Sequence, residues 1–280
     1  MIVDARELQK SLADIENSVV VSDGEKLRSA AEGWGIPNEV AQAFLDVGLQ
    51  LISFRPGPRA GKFLVLTGVD KSGKETHCFN RSHLPKVTSV YEHLKSVGFD
   101  VLPINLPAYE TLLGSLVSAY LGRRTTRVAI RGELSSSKAW LLWSLDRAQF
   151  NQRVEDWLAK DPKDVVLAKR WTESHVVYQP EVGVERSRVV RFEKKVVKQD
   201  YTVILDIPPS KAMQRLRSRF DRDNYEHVAL IERVRRRYLS LPQIYPYGEV
   251  YLVDASRSLE EVNRDILALV DWILQVGRKE

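Results

Sequence analysis

Four apolar residues, Phe63-Leu64-Val65-Leu66, run directly into Thr67-Gly68-Val69-Asp70-Lys71-Ser72-Gly73-Lys74-Glu75-Thr76. An unbroken apolar run ended by a glycine reads as a buried strand of a parallel sheet. The Gly-x4-Gly-Lys spacing is that of a phosphate-binding loop, and the residues after it read as a helix start. Small residues let the backbone curl so that its N–H groups point at phosphate oxygens. Lys74 adds a point charge, and the helix N-terminus adds a partial positive charge. One position departs from the usual loop. Glu75 stands where a Ser or Thr hydroxyl normally holds Mg2+.

From this strand onward, apolar runs alternate with helical patterns, the signature of a parallel sheet flanked by helices. Strands are expected at 62–67, 100–104, 164–168, 201–206 and 249–254. Helices are expected at 73–97, 109–121, 138–160, 210–219, 224–241 and 258–276. Ahead of the loop, residues 4–17, 24–33 and 37–52 carry apolar stripes at helical spacing, with Asp23 and Pro37 as start signals. The cluster Arg55-Pro56-Gly57-Pro58-Arg59-Ala60-Gly61 then breaks the pattern. The division this suggests is a helical N-terminal extension over 1–60, covering a surface or helping a dimer form, with a regulatory role as the alternative, and an α/β domain over 61–280.

Composition excludes several classes. A net charge of +5 over 280 residues suits polyanionic small molecules and does not call for nucleic acid. No apolar run approaches the ~20 residues of a membrane span. The opening Met1-Ile2-Val3-Asp4-Ala5-Arg6-Glu7 lacks the basic-then-apolar pattern of a secretory signal. With one cysteine, Cys78, no disulfide can form within the chain, which fits a reducing, cytoplasmic setting. His77, His83, His93, His175 and His227 show no metal-ligand spacing.

Three further stretches carry candidate chemistry. In Trp140-Leu141-Leu142-Trp143-Ser144-Leu145-Asp146-Arg147, Trp143 and Arg147 share a helix face. A ring beside a guanidinium can stack on a base and donate to its carbonyl edge. The same spacing also fits a core tryptophan and a surface ion pair. The strand 164–168 ends in Lys169-Arg170-Trp171, then Ser174 and Tyr178-Gln179. In open parallel sheets ligands bind off the carboxyl ends of the strands, so Arg170 is well placed for a phosphate. The run from Arg215 through Arg217, Arg219 and Arg222 reads either as a solvated helix face or as a lid closing over phosphates.

Taken in order, these stretches resemble the thymidylate kinase family over roughly residues 62–275. The resemblance implies a three-layer P-loop kinase fold, and transfer of the terminal phosphate of ATP to dTMP with Mg2+. It implies that Gly68, Val69, Asp70, Lys71, Ser72, Gly73, Lys74, Glu75 and Thr76 hold ATP. Asp70, Lys71, Lys74 and Arg170 would then serve the reacting phosphates. Tyr109, in Leu106-Pro107-Ala108-Tyr109, falls near the acceptor. Trp143 falls where a ring stacks on thymine, Arg147 where an arginine reads its O4, and Ser174, Tyr178 and Gln179 where the family closes around base and sugar. Residues 215–222 fall on the lid. A homodimer is also implied.

Three positions depart from the family pattern. Thr67 replaces a Glu, Lys169 replaces the Asp of an Asp-Arg pair, and Glu75 replaces the hydroxyl. The expectation is that Glu75 supplies a hard oxygen near the metal, directly or through water, and that Lys169 is an extra phosphate clamp. Thr76 offers a hydroxyl one register away. Two alternatives stay open: a kinase for another nucleoside monophosphate or a deoxynucleoside, and a nucleotide-binding regulator without turnover.

Overall fold

The structure is a computed structural model that describes residues 1–123, 127–217 and 228–276. It divides into two compact units. The first comprises Met1–Gly57, Leu106–Glu155 and Tyr178–Val197; the second comprises Pro58–Asn105, Asp156–Val177 and Lys198–Glu280. In chain order the strands among the described residues are β1 (Ile2–Asp4), β2 (Lys62–Thr67), β3 (Asp100–Asn105), β4 (Ala129–Arg131), β5 (Asp164–Lys169), β6 (Tyr201–Asp206) and β7 (Glu249–Asp254).

The second unit is an α/β layer structure built on a five-stranded parallel sheet in the order β3-β5-β2-β6-β7. Every residue of β2 after Lys62 is buried, because this central strand is covered on both faces. One face carries Leu64, Leu66, Leu167, Val203 and Leu205, packed against Val90 and Leu94 and against Val262, Ile266 and Val270 of the helix Leu259–Ile273. On the other face Phe63 meets Trp171 edge-on, with ring centroids 5.0 Å apart. The five expected strands all form, two of them one residue longer than the sequence suggested.

The expected helix over 73–97 is two helices, Lys74–Phe79 and Val90–Ser96. Asn80 ends the first in the left-handed region (φ 45°). Its side chain accepts from Leu84 N–H at 2.9 Å and donates to the Val87 carbonyl at 3.0 Å, so it organises a loop where the helix ladder would have run. Ser89 and Glu92 then form a reciprocal capping box that starts the next helix.

The first unit is mainly helical. Its N-terminal helices Ala5–Val21, Gly24–Ala31 and Asn38–Ser53 form close to where the stripes placed them. They share one compact unit with residues from 106–155 and 178–197. Leu8, Leu12, Ile15, Val19, Phe44 and Leu51 are fully buried, each contributing about 1.5–3 kcal/mol of burial. β1 pairs in parallel with β4, 127 residues further along at Ile2↔Ala129. In this unit the expected helix 109–121 begins later, at Leu112, capped by Thr111. The expected helix 138–160 is Ser136–Ala148 followed by Asn151–Leu158, whose last residues belong to the second unit. A helix the sequence reading did not anticipate, Arg186–Glu193, follows the 3-10 turn Gln179–Val182.

Candidate active site

The loop leaves the carboxyl end of the central strand, the end of an open parallel sheet at which ligands bind. Two glycines shape it. Gly68 has φ 140°, and a Cβ there would lie 2.5 Å from the Leu205 carbonyl oxygen; Gly73 has φ 96° and opens the helix Lys74–Phe79. Lys71 takes a left-handed conformation (φ 64°) without being glycine.

Lys74 is buried. Its Nζ donates to the Val69 carbonyl at 2.5 Å and lies 3.9 Å from Asp70. Burial, reinforced by the nearby Arg170, pushes its pKa well below the ordinary lysine value, against the pull of Asp70. Asp70 is shifted the other way. Burial would raise it, but Arg170, Lys74 and Lys71 together hold it below the usual carboxylate value, so it stays ionised. Arg170 donates to Asp70 through its guanidinium. Its own backbone is left-handed (φ 66°), a conformation that costs a non-glycine residue of order 1–3 kcal/mol. The Arg170 N–H to the Leu66 carbonyl, 3.0 Å, helps hold it there. The end of β5 is thereby tied to the end of β2.

Lys169, one residue earlier, donates to Glu75 Oε2 at 2.9 Å. Burial lowers its pKa, and Glu75 counters that shift. Arg81 Nε lies 3.5 Å from the other Glu75 oxygen, which is shielded from solvent and makes no hydrogen bond. Arg215 donates to the Lys71 carbonyl at 3.1 Å and to the Ala255 carbonyl at 3.2 Å, bracing the outside of the loop. His77 is pushed down to about 4 by burial and by Arg215, so it is neutral at pH 7. Around the loop, Lys71, Lys74, Lys169, Arg170 and Arg215 thus face two carboxylates, Asp70 and Glu75. This excess of positive charge suits a polyphosphate.

Beneath the loop lies a hydroxyl cluster. Thr67 Oγ1 is 3.1 Å from Ser174 Oγ and 3.0 Å from Tyr238 OH, and Ser174 is 3.0 Å from Tyr238. Burial pushes the Tyr238 phenol up to about 12, so it keeps its proton. Glu173, fully buried, accepts from Trp171 N–H and from Ser174 Oγ. Ser174 is therefore held by Thr67, Glu173 and Tyr238. Sequence reasoning missed Tyr238 and Glu173. The stripe Ile231, Val234, Tyr238, Leu241 showed that Tyr238 faces inward, but nothing local showed that its hydroxyl meets Thr67.

Of the sequence candidates, residues 68–76, Arg170, Ser174 and Arg215 lie in the second unit, while Tyr109, Trp143, Arg147, Tyr178 and Gln179 belong to the first. Arg219 and Arg222 fall outside the described residues, as does the Arg217 side chain. In the first unit Trp143 is half-buried, edge-on to Tyr120 at 5.5 Å. Arg147 is only 3% exposed, and its Nη1 donates to Glu193 Oε1 at 2.7 Å. The partner is buried as well, so this is an interior ion pair and not the surface pair that spacing allowed. Tyr109 has the Arg123 guanidinium 4.9 Å above its ring. The turn at Tyr109 also explains Gly114, where a Cβ would sit 1.9 Å from the Ala108 carbonyl oxygen. Tyr178 is half-buried and Gln179 buried at the start of the 3-10 turn.

Comparison with known proteins agrees with this geometry. Residues 66–266 match the sequence profile of the family Thymidylate kinase. A "Probable thymidylate kinase" of Thermococcus gammatolerans is 28% identical over 78% of this chain and 99% of its own length. One of Pyrobaculum aerophilum is 29% identical over 76% of this chain and 98% of its own length. The solved structure of thymidylate kinase from Candida albicans aligns with a TM-score of 0.55 over 78% of this chain and 94% of that one, at 18% identity, which speaks for the fold. With the loop on the central strand, the charge set around it and a profile match over most of its length, the chain belongs to the thymidylate kinase family.

Proposed function

We propose that the protein is a cytoplasmic phosphotransferase that moves the terminal phosphate of ATP to dTMP, giving dTDP and ADP. The observation that carries this reading is the junction of the phosphate loop with Arg170. Arg170 is fixed in a left-handed backbone at the end of β5, with its guanidinium on Asp70 of the loop. Such a junction can hold a donor phosphate and an acceptor phosphate side by side, and phosphoryl transfer depends mainly on that positioning and on charge.

In this reading the loop N–H groups and Lys74 hold the donor phosphates. Lys74 is held inside the loop by the Val69 carbonyl, and an incoming phosphate oxygen replaces that weaker, neutral acceptor. Arg170 orients the acceptor phosphate, with Asp70 keeping its fork in place. Lys71 and Lys169 add positive charge where negative charge moves during transfer. Arg215 fixes the loop from outside. Transfer is direct and in line, with no covalent enzyme intermediate. For the acceptor base and sugar the first unit offers Trp143 as a stacking ring, Arg147, held by Glu193, as a donor to the carbonyl edge, and Tyr109, Tyr178 and Gln179 as further contacts.

The donor set fits Mg2+ arriving with the nucleotide. Glu75 offers a hard carboxylate oxygen, Oε1, that makes no hydrogen bond, and Lys169 holds the rest of the group in place. Bound there, Mg2+ supplies neutralisation of charge on the transferred phosphate.

An ADP-release assay with ATP and Mg2+ across dTMP, dUMP, UMP, CMP, AMP and GMP tests the reading. Fast turnover with dTMP alone is expected. Turnover with another monophosphate moves the substrate, and ATP binding without turnover on any of them removes the activity. Light scattering on the pure protein tests the proposed homodimer.

A further inference from the structure

The N-terminal helix Ala5–Val21 precedes the family match, which begins at residue 66, and no step above uses it. Its inner face is not purely apolar. Among Leu8, Leu12, Ile15 and Val19 sits Glu16, a carboxylate only 7% exposed. A lone buried carboxylate is costly, so its partners reveal what it is for.

Glu16 has two cationic partners, one on each of two helices from later in the chain. Lys138 Nζ, on the helix Ser136–Ala148, donates to Glu16 Oε2 at 2.9 Å. Arg188, on the helix Arg186–Glu193, donates through Nη2 to Oε2 at 2.5 Å and through Nε to Oε1, a two-pronged contact. Burial would raise the Glu16 pKa, but Arg188 and Lys138 outweigh it and keep the group ionised. The same two helices are joined a second time by Arg147 and Glu193. Between these ion pairs, Trp140 lies under the Arg188 guanidinium at 5.6 Å and edge-on to Phe192 at 5.6 Å. Glu16 is therefore the shared anchor at one end of a helix pair that Arg147 and Ser144 tie to Glu193 at the other. Trp143 is carried by the same helix as Lys138 and Arg147.

We infer that Glu16 is a positioning residue for the acceptor base: the N-terminal helix, through Glu16, sets the spacing of the helices Ser136–Ala148 and Arg186–Glu193, and thereby the placement of Trp143 and Arg147. This rests on the proposed role of Trp143 and Arg147 in holding dTMP. A buried carboxylate gripped by two cations fixes position far better than the apolar stripe alone, because the ion pairs have short range and defined direction. The extension then serves the acceptor half of the reaction and leaves the donor loop alone.

The test compares Glu16→Ala, Glu16→Gln and Glu16→Asp with Val19→Ala, a cavity variant in the same helix that lowers stability without touching the ion pairs. All are assayed with dTMP and ATP at a temperature where each is folded. Small misplacements of positioning groups cost up to ~100-fold, so a loss of roughly tenfold is the scale to look for. Glu16→Ala is expected to raise KM for dTMP roughly tenfold while kcat and KM for ATP stay within about twofold. Glu16→Gln, which keeps the size and loses the charge, shows a smaller rise. Glu16→Asp recovers most of the affinity, and Val19→Ala leaves KM for dTMP unchanged. Amide hydrogen exchange on the unliganded protein gives an independent readout, with faster exchange in 136–148 and 186–193 for Glu16→Ala. An unchanged KM for dTMP, an equal rise for both substrates, or the same rise in Val19→Ala overturns the inference. If the wild-type protein does not phosphorylate dTMP, the proposed function has failed, and hydrogen exchange decides the brace by itself: unchanged protection in both helices refutes it.

Discussion

Removing the Arg147 guanidinium separates two roles that the structure gives one residue. Arg147 and Glu193 are 3% and 2% exposed, with 2.7 Å between Nη1 and Oε1, and Ser144 Oγ also donates to that oxygen at 2.7 Å. In Arg147→Ala the Glu193 carboxylate stays inside the protein and loses the cation that balances it. Breaking a buried pair from one side costs about 3–5 kcal/mol, most of it the unbalanced charge left behind. With a urea slope of about 3 kcal/mol/M, that loss moves the unfolding midpoint down by roughly 1–2 M. Replacing both members with apolar residues of similar volume, Arg147→Met with Glu193→Leu, removes the unbalanced charge and is expected to recover most of the loss. The double variant therefore has restored stability and no guanidinium. If Arg147 also reads the acceptor base, KM for dTMP stays high in the double variant while KM for ATP is near wild type. Urea unfolding followed by tryptophan fluorescence, together with steady-state kinetics on both substrates, measures both effects. A loss below about 1 kcal/mol in Arg147→Ala, or a double variant as unstable as the two singles added together, refutes the interior ion pair as a strut. Full recovery of dTMP affinity in the double variant refutes Arg147 as the base reader.

Two further outcomes follow from the loop and from buried titrating groups. In Glu75→Ala the hard oxygen beside the loop is gone and Lys169 loses its partner, so the Mg2+ concentration for half-maximal turnover should rise about tenfold or more; an unchanged Mg2+ dependence contradicts the proposed metal contact. Two contributions to the pH dependence of stability oppose each other. His77 is lowered from 6.5 to about 4, so the unfolded chain takes up its proton first, and stability is lost as pH falls from ~6.5 to ~4, by of order 3 kcal/mol. Asp146 is raised by burial from 3.8 to about 7, so the folded chain holds the extra proton, and stability is lost as pH rises from ~4 to ~7. The two offset each other in the wild type over ~4–6.5. His77→Gln should therefore expose a profile that falls with rising pH, and Asp146→Asn one that rises, in urea titrations at a series of pH values; parallel profiles for the two variants refute the assignment.

Much of this architecture was legible in the chain. The five strands of the second unit formed where apolar runs placed them; the central strands β2, β5 and β6, buried along nearly their whole length, need little more than an unbroken run of apolar residues. The phosphate loop was legible for the same local reason. Its two glycines and its lysine act within a few residues of one another, and strand and helix follow directly. The three N-terminal helices announced themselves through their stripes and caps. What lay beyond local pattern was the destination of those stripes. Leu12 and Phe44 had to be buried, but only the folded chain showed that they join residues 106–155 and 178–197 in one unit. Asn80 reads as a possible helix residue until its side chain is seen holding Leu84 and Val87.

The charges around the site were the least legible. Glu75 and Lys169 both stood out as departures in the sequence, yet their pairing spans 94 residues and became visible only once β5 lay beside β2. Arg147 and Glu193, and Glu16 with Lys138 and Arg188, were likewise undecidable from spacing, since a charged residue at helical spacing fits a solvated face as readily as an interior. The sequence alone determined the sheet, the loop and the family, because backbone pattern and turn chemistry are short-range. The tertiary structure decided which charges meet, because desolvation makes a buried charge tolerable only where folding brings its partner within hydrogen-bonding distance.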